Sequence, residues 1–167
     1  GDDVVALPSG LPTKIRRIDT IDGPVAEAFA PMAVTLLLED DIDISRGDMI
    51  CRPNNQPTSG QDIEAMVCWM TEQSQLAPGA KLAIKHTTRS GRALVKGLQY
   101  RLDINTLHRD ESATSLTLNE IGRVTLRTTT PLFFDEYRRN RQTGSFILID
   151  EATNNTVAAG MIIGAAS

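Results

Sequence analysis

The sequence predicts an all-β chain folded as two small barrels or sandwiches. Three observations carry this. Short apolar runs closed by turn residues recur along the chain, roughly nine or ten of them. A polar stretch at 53–61, PNNQPTSGQ, interrupts them. Helix-period patterning is scarce.

The 167 residues suit one ordinary domain or two small ones. Aromatic residues make up 4%, so the core is built from Val, Ile, Leu, Ala and Met. The net charge of −4 argues against a chain that coats itself in nucleic acid by charge alone. Cys51 and Cys68 form neither a metal pattern nor a disulfide framework, which fits a reducing cytosol. No apolar run approaches the length of a membrane span. The opening GDDVVALP is already strand-like and reads as a piece of something longer.

Element by element, DDVVALPSG is a strand closed by a Pro-Ser-Gly turn. TKIRRIDTID spaces Ile15, Ile18 and Ile21 by threes, as a helix would. Its β-branched residues and the Asp22-Gly23-Pro24 stop instead predict a strand with a bulge. MAVTLLLED and DMICRP are the next two strands. Between them lies Arg46-Gly47-Asp48, read as a tight connection in which glycine supplies a permissive backbone. After the linker, DIEAMVCWM alternates. Ile63, Ala65, Val67 and Trp69 face one way, and Glu64, Met66, Cys68 and Met70 the other. Both sets are mostly apolar, which predicts a strand buried on two sides. Pro78-Gly79 turns the chain into a strand with Leu82, Ile84 and His86 on one face. SGRALVKG is read as a hairpin turn opening RALVKGLQYRLDI; GRVTLRTTTPLFF is a further strand. GSFILIDEATNNTVAAGMII is a hairpin over 145–150 and 156–163, turned at Asn154-Asn155. The best helical candidate is a turn or two at 135–142, DEYRRNRQ.

The sequence offers little chemistry. No G-x-x-x-x-G-K-[ST] phosphate loop and no nucleophile elbow occur. His86 is a packed or edge residue and His108 lies in a polar loop; neither has a second ligand at metal spacing. The acidic run Glu39-Asp40-Asp41-Ile42-Asp43 lacks the spacing of a calcium loop. Catalytic, cofactor-binding and metal-binding residues are therefore all assigned as none. The densest basic cluster, Arg138-Arg139-Asn140-Arg141, is the candidate contact for phosphate or an acidic partner.

Two sets of words point to a family. VALPSG, IDTIDGPVAEAFAPMAVTLLLEDDIDISRGDMI and TVAAGMI resemble the second and third domains of translation-factor-type GTPases. YRLDINTL, LNEIG and FDEYRRNRQTGSFILIDEATNNTVAAGMI narrow the resemblance to the large, GTPase subunit of bacterial sulfate adenylyltransferase (ATP sulfurylase). It runs from residue 1 to about 163, with Ala158 where that family usually has glycine. The resemblance implies a partial barrel over 1–55, its opening strands missing, and a complete barrel over 56–167. It implies a parent enzyme that couples GTP hydrolysis to formation of adenosine 5′-phosphosulfate from ATP and sulfate in sulfate assimilation. GTP and magnesium would sit in a GTP-binding domain outside this chain. A small catalytic subunit would be the partner, the cytoplasm the location, and an adenylylsulfate kinase fusion follows in some relatives. The fragment itself would be an inactive scaffold that docks its partner through Arg138, Arg139 and Arg141. Two rivals remain. One is a tRNA-facing barrel of a translation-type GTPase, opposed by the acidic charge and few aromatics. The other is a small-molecule-binding sandwich, for which the sequence shows no pocket.

Overall fold

The computed structural model describes residues 1–166. It contains twelve strands and no helix among them. The chain divides into two compact units, Gly1–Gln56 and the remainder from Pro57 onward.

The first unit holds β1 (Asp3–Leu7), β2 (Leu11–Thr20), β3 (Gly23–Val25), β4 (Thr35–Leu38) and β5 (Met49–Cys51). They run in the order β3-β2-β1-β5, with β4 also on β2. No pairing returns from β5 or β3 to close the sheet, so the unit is a half-barrel. Between β1 and β2, Gly10 has φ 73° and donates its N–H to the Ala6 carbonyl at 2.7 Å. The bulge read at TKIRRID is present: β2 loses register against β4 between Ile15 and Arg17. The Arg-Gly-Asp stretch is a turn. Asp48 N–H donates to the Ser45 carbonyl at 3.0 Å, and Gly47 has φ 98°, as a type II turn requires at its third position.

The second unit is a closed barrel. Its strands are β6 (Thr58–Trp69), β7 (Lys81–His86), β8 (Arg89–Leu102), β9 (Arg109–Asp110), β10 (Ile121–Phe134), β11 (Ser145–Ile149) and β12 (Thr156–Ala165). The order β10-β6-β12-β11-β7-β8 is joined end to end by β10–β8 pairing, so six strands close and β9 extends β8. Ile63, Ala65, Val67, Leu116, Val124, Leu126, Leu148 and Ala158 fill the interior. All are fully buried, Ala158 with its extra methyl included.

The structure corrects several expectations. Strand β6 begins at Thr58, inside the stretch read as linker, because Thr58, Ser59 and Gly60 pair with Phe134, Phe133 and Leu132. SGRALVKG is strand rather than turn. The chain reverses at Thr87-Thr88, where Thr87 takes φ 51°, and Arg89 pairs back onto His86. Strand β6 is buried on one face only: Glu64, Met66 and Cys68 are half-buried and Met70 is exposed. Residues 135–142 form turns instead of helix, because their carbonyls serve a tight loop between two barrel strands.

One contact inside the barrel is unforgiving. Gly160 pairs with Phe146 across β11 and β12, and a Cβ on Gly160 would overlap the Phe146 ring. Its neighbours Ala159 and Met161 point to the outer face, so the ring fills the space that the missing Cβ of Gly160 leaves. Gly160→Ala is expected to destabilise the chain by about 1–3 kcal/mol. In urea denaturation, the double substitution Gly160→Ala with Phe146→Leu should cost less than the sum of the two singles. Additive costs would show that the ring and the glycine do not compete for space.

Candidate partner-docking site

The loop between β10 and β11, residues 135–144, carries the three candidate arginines. It is built as a fixed platform. Arg139 and Asn140 N–H groups donate to the Glu136 carbonyl at 2.8 and 3.1 Å, and Gly144 N–H donates to the Asn140 carbonyl at 2.8 Å. The Asn140 side-chain oxygen accepts from the Gln142 N–H at 3.1 Å. Thr143 hydroxyl donates to the Asp135 carboxylate at 2.8 Å, and Ser145 hydroxyl to the Arg141 carbonyl at 2.7 Å. Two bonds tie the loop to β12: Tyr137 N–H to the Ile162 carbonyl at 2.9 Å, and Ile162 N–H to the Gly144 carbonyl at 2.7 Å. Gly144 is required by close approach. A Cβ there would lie 2.5 Å from the Tyr137 nitrogen and 2.7 Å from the Asn140 carbonyl oxygen.

The arginines are not equivalent. Arg138 Nε donates to Glu136 Oε2 at 2.7 Å, and its side chain is 83% exposed. A surface pair of that kind contributes little stability. Arg139 and Arg141 are exposed, and no carboxylate pairs with either among the described residues. The platform thus offers two unneutralised cations and one partly neutralised.

His86 is the residue beneath the platform that sequence reasoning left without a role. It is 1% exposed at the end of β7, and its Nε2 lies 2.6 Å from the Thr143 carbonyl oxygen. A carbonyl only accepts, so the ring proton sits on Nε2. Its position after Leu82 and Ile84 on the inward face was the legible signal; the loop it touches was not. His108 lies apart from this site, exposed in the loop after β8. Asp40 of the acidic run accepts from the Thr13 hydroxyl at 2.9 Å. Among the described residues, no three His, Cys, Asp or Glu side chains gather as a metal site. No helix among them is long and apolar enough to cross a membrane.

Comparison with known proteins shows the family of the chain and the likeness of its fold. A family model described as GTP-eEF1A C-terminal domain-like matches residues 62–163, the closed barrel and its platform loop. The chain is 62% identical over 163 residues to the bifunctional enzyme CysN/CysC of Mycobacterium tuberculosis (strain ATCC 25618 / H37Rv), covering 98% of this chain and 26% of that protein. It is 47% identical over 163 residues to sulfate adenylyltransferase subunit 1 of Bacteroides fragilis, covering 98% of this chain and 34% of that protein. The chain therefore spans about a quarter to a third of the length of these relatives. Among solved structures, Sup35 complexed with GDP superposes with a TM-score of 0.87 at 20% identity, over 99% of this chain and 41% of that one. At that identity the likeness is one of fold.

The buried histidine makes stability depend on pH. Burial pushes the His86 pKa below its ordinary 6.5, aided by the nearby Arg89 charge and opposed by the Thr143 hydrogen bond. The unfolded chain takes up a proton at His86 near 6.5, while the folded chain does so only at lower pH. The contribution is therefore complete above 6.5, falls as pH drops through 6.5, and levels off below the folded value. Urea midpoints measured between pH 7.5 and 5.5 should decline for the native chain and decline less for His86→Gln. Parallel declines would remove His86 as the cause.

Proposed function

The chain belongs to the GTP-eEF1A C-terminal domain-like family, and from that premise we propose that it is the barrel region of the GTP-hydrolysing subunit of a sulfate adenylyltransferase. One observation carries the reading: nearly the whole chain, half-barrel included, aligns with proteins named sulfate adenylyltransferase subunit 1 or CysN/CysC. On this reading the parent protein couples GTP hydrolysis to synthesis of adenosine 5′-phosphosulfate from ATP and sulfate, in the cytoplasm. Adenylyl transfer belongs to a separate small subunit.

The residues present do not fit the nucleotide or its metal. No phosphate-binding loop occurs in the sequence, and no cluster of metal-ligating side chains occurs among the described residues. On this reading GTP and magnesium would be held by a GTP-binding domain of the parent protein. The barrels act as a scaffold. A GTPase domain that rearranges with its γ-phosphate shifts the docking of such a scaffold, and couplings of about 1–3 kcal/mol are typical of linked sites.

The platform loop is the contact this reading assigns to the small subunit. Arg139 and Arg141 stand open on a loop whose backbone is fixed by hydrogen bonds at both ends, so only their side chains, not the loop, must be ordered when they meet carboxylates. Two measurements check the proposal. The full-length parent, combined with its small subunit, should form adenosine 5′-phosphosulfate faster with GTP than without; a rate indifferent to GTP ends the functional reading. Arg138→Glu, Arg139→Glu and Arg141→Glu together should weaken small-subunit binding at least tenfold at low salt and less at high salt. Unchanged affinity at low salt removes the loop from the interface and leaves the functional reading standing.

A further inference from the structure

The outer wall of the closed barrel carries an apolar band that the fold does not need. Strand registers define it. Lys85 on β7 lies beside Ile147 on β11, Ile147 beside Ala159 on β12, and Ala159 beside Cys68 on β6. Cys68 lies beside Ile121 on β10, and Ile121 beside Leu102 on β8. A single row thus crosses six strands, and after Lys85 every member is apolar. In the next row Met161 and Met66 continue the patch between Ser145 on one side and Arg123 on the other. These positions alternate with the buried core residues Phe146, Leu148, Val67 and Ala158, so they point away from the interior.

An antiparallel sheet with one face in solvent ordinarily alternates apolar-in with polar-out. Here both faces are apolar across four neighbouring strands. Met161 is 40% exposed, Ala159 is exposed, and Ile147, Cys68 and Ile121 are half-buried. Together with Tyr137 and Gln142 of the platform loop they border an open concavity of about 710 Å³. Its lining includes one charged side chain, Lys85, and no carboxylate. Methionine and aromatic side chains on a patch of this kind are the composition of a protein interface core.

We propose that this band is a protein-docking groove, and that its occupant is a segment of a partner protein presenting an apolar side chain flanked by carboxylates. Charge complementarity selects that occupant. The apolar anchor fills the floor between Ile147 and Met161, and the carboxylates meet Lys85 in the lining and the arginines of the platform loop, whose Tyr137 and Gln142 border the same concavity. A basic segment would meet Lys85, the one charged side chain of the lining, with like charge and find no carboxylate there to offset it. The inference deepens the docking role assigned above, resting on the small subunit as the partner, and adds a hydrophobic floor that the arginine loop alone lacks.

The test uses the 167-residue chain and the purified small subunit of sulfate adenylyltransferase as probe, with affinity measured by titration calorimetry. Met161→Glu should weaken binding tenfold or more, and Lys85→Glu should weaken it and flatten its salt dependence. Leu94→Glu, exposed on the wall between β7 and β10, should leave it unchanged. Circular dichroism keeps a misfolded variant from counting, and Lys85→Glu, a surface charge change, is the second variant. Native affinity in both Met161→Glu and Lys85→Glu overturns the groove. So does a native chain that does not bind, or one whose Met161 variant loses self-association instead. Loss in Met161→Glu with no loss in the triple arginine reversal sustains the groove and removes the arginine loop; the opposite pattern does the reverse.

Discussion

The structure rests on β10 being paired along both of its edges. This fourteen-residue strand bonds to β6 on one side and to β8 on the other, and that second pairing turns a row of strands into a closed barrel. Closure leaves those six strands without free edges, and it removes Ile63, Ala65, Val124, Leu126 and Leu148 from water together. The strand bends to manage this. It breaks register with β6 between Arg127 and Leu132, and Pro131, which cannot donate to a ladder, sits inside that break. The first unit has no strand that plays this role. Its sheet stays open, and Phe29 beside it is 70% exposed.

A closed barrel fixes where its function is displayed. The interior is filled, so only the loops and the outer wall remain for contact. The platform at 135–144 and the apolar band are neighbours because β11 and β12 carry both: the loop is bonded to Ile162 through Tyr137 and Gly144, and the band runs through Ile147, Ala159 and Met161. Charge follows the same division. The first unit has five basic and ten acidic residues, whereas the second has twelve basic and eleven acidic. The net −4 of the whole chain belongs to the half-barrel and says little about the barrel's own surface.

Ion pairs on the barrel's outer wall serve position more than stability. Arg101 pairs with Asp110 at 2.9 Å and with Glu120 at 2.8 Å, linking the loop after β8 to the start of β10. Arg123 pairs with Glu64 across β10 and β6 where the apolar band ends. Exposed pairs of this kind contribute at most about 1 kcal/mol each. Their value here is to hold loop ends in register and to bound the patch.

Most strands, the turns at Pro8-Ser9-Gly10, Arg46-Gly47-Asp48 and Pro78-Gly79, the bulge in β2 and the inward face of β6 were legible from the sequence; β3, read as a strand stop at Asp22-Gly23-Pro24, was not. Each depends on local rules: side-chain alternation, β-branching and the backbone freedom of glycine. The apolar second face of β6 was legible too, but its meaning was not, because alternation reports composition and cannot say whether anything covers a face. Placing Thr58 in a strand required Phe134 from far along the chain, and recognising SGRALVKG as strand required His86 to pair with Arg89. The sequence alone determined an all-β chain in two parts with a basic loop near its end. Only the tertiary structure decided that one part closes and the other does not, that His86 holds the platform from below, and that an apolar band crosses the wall. Those facts depend on cross-strand register between distant residues, which no short stretch of sequence contains.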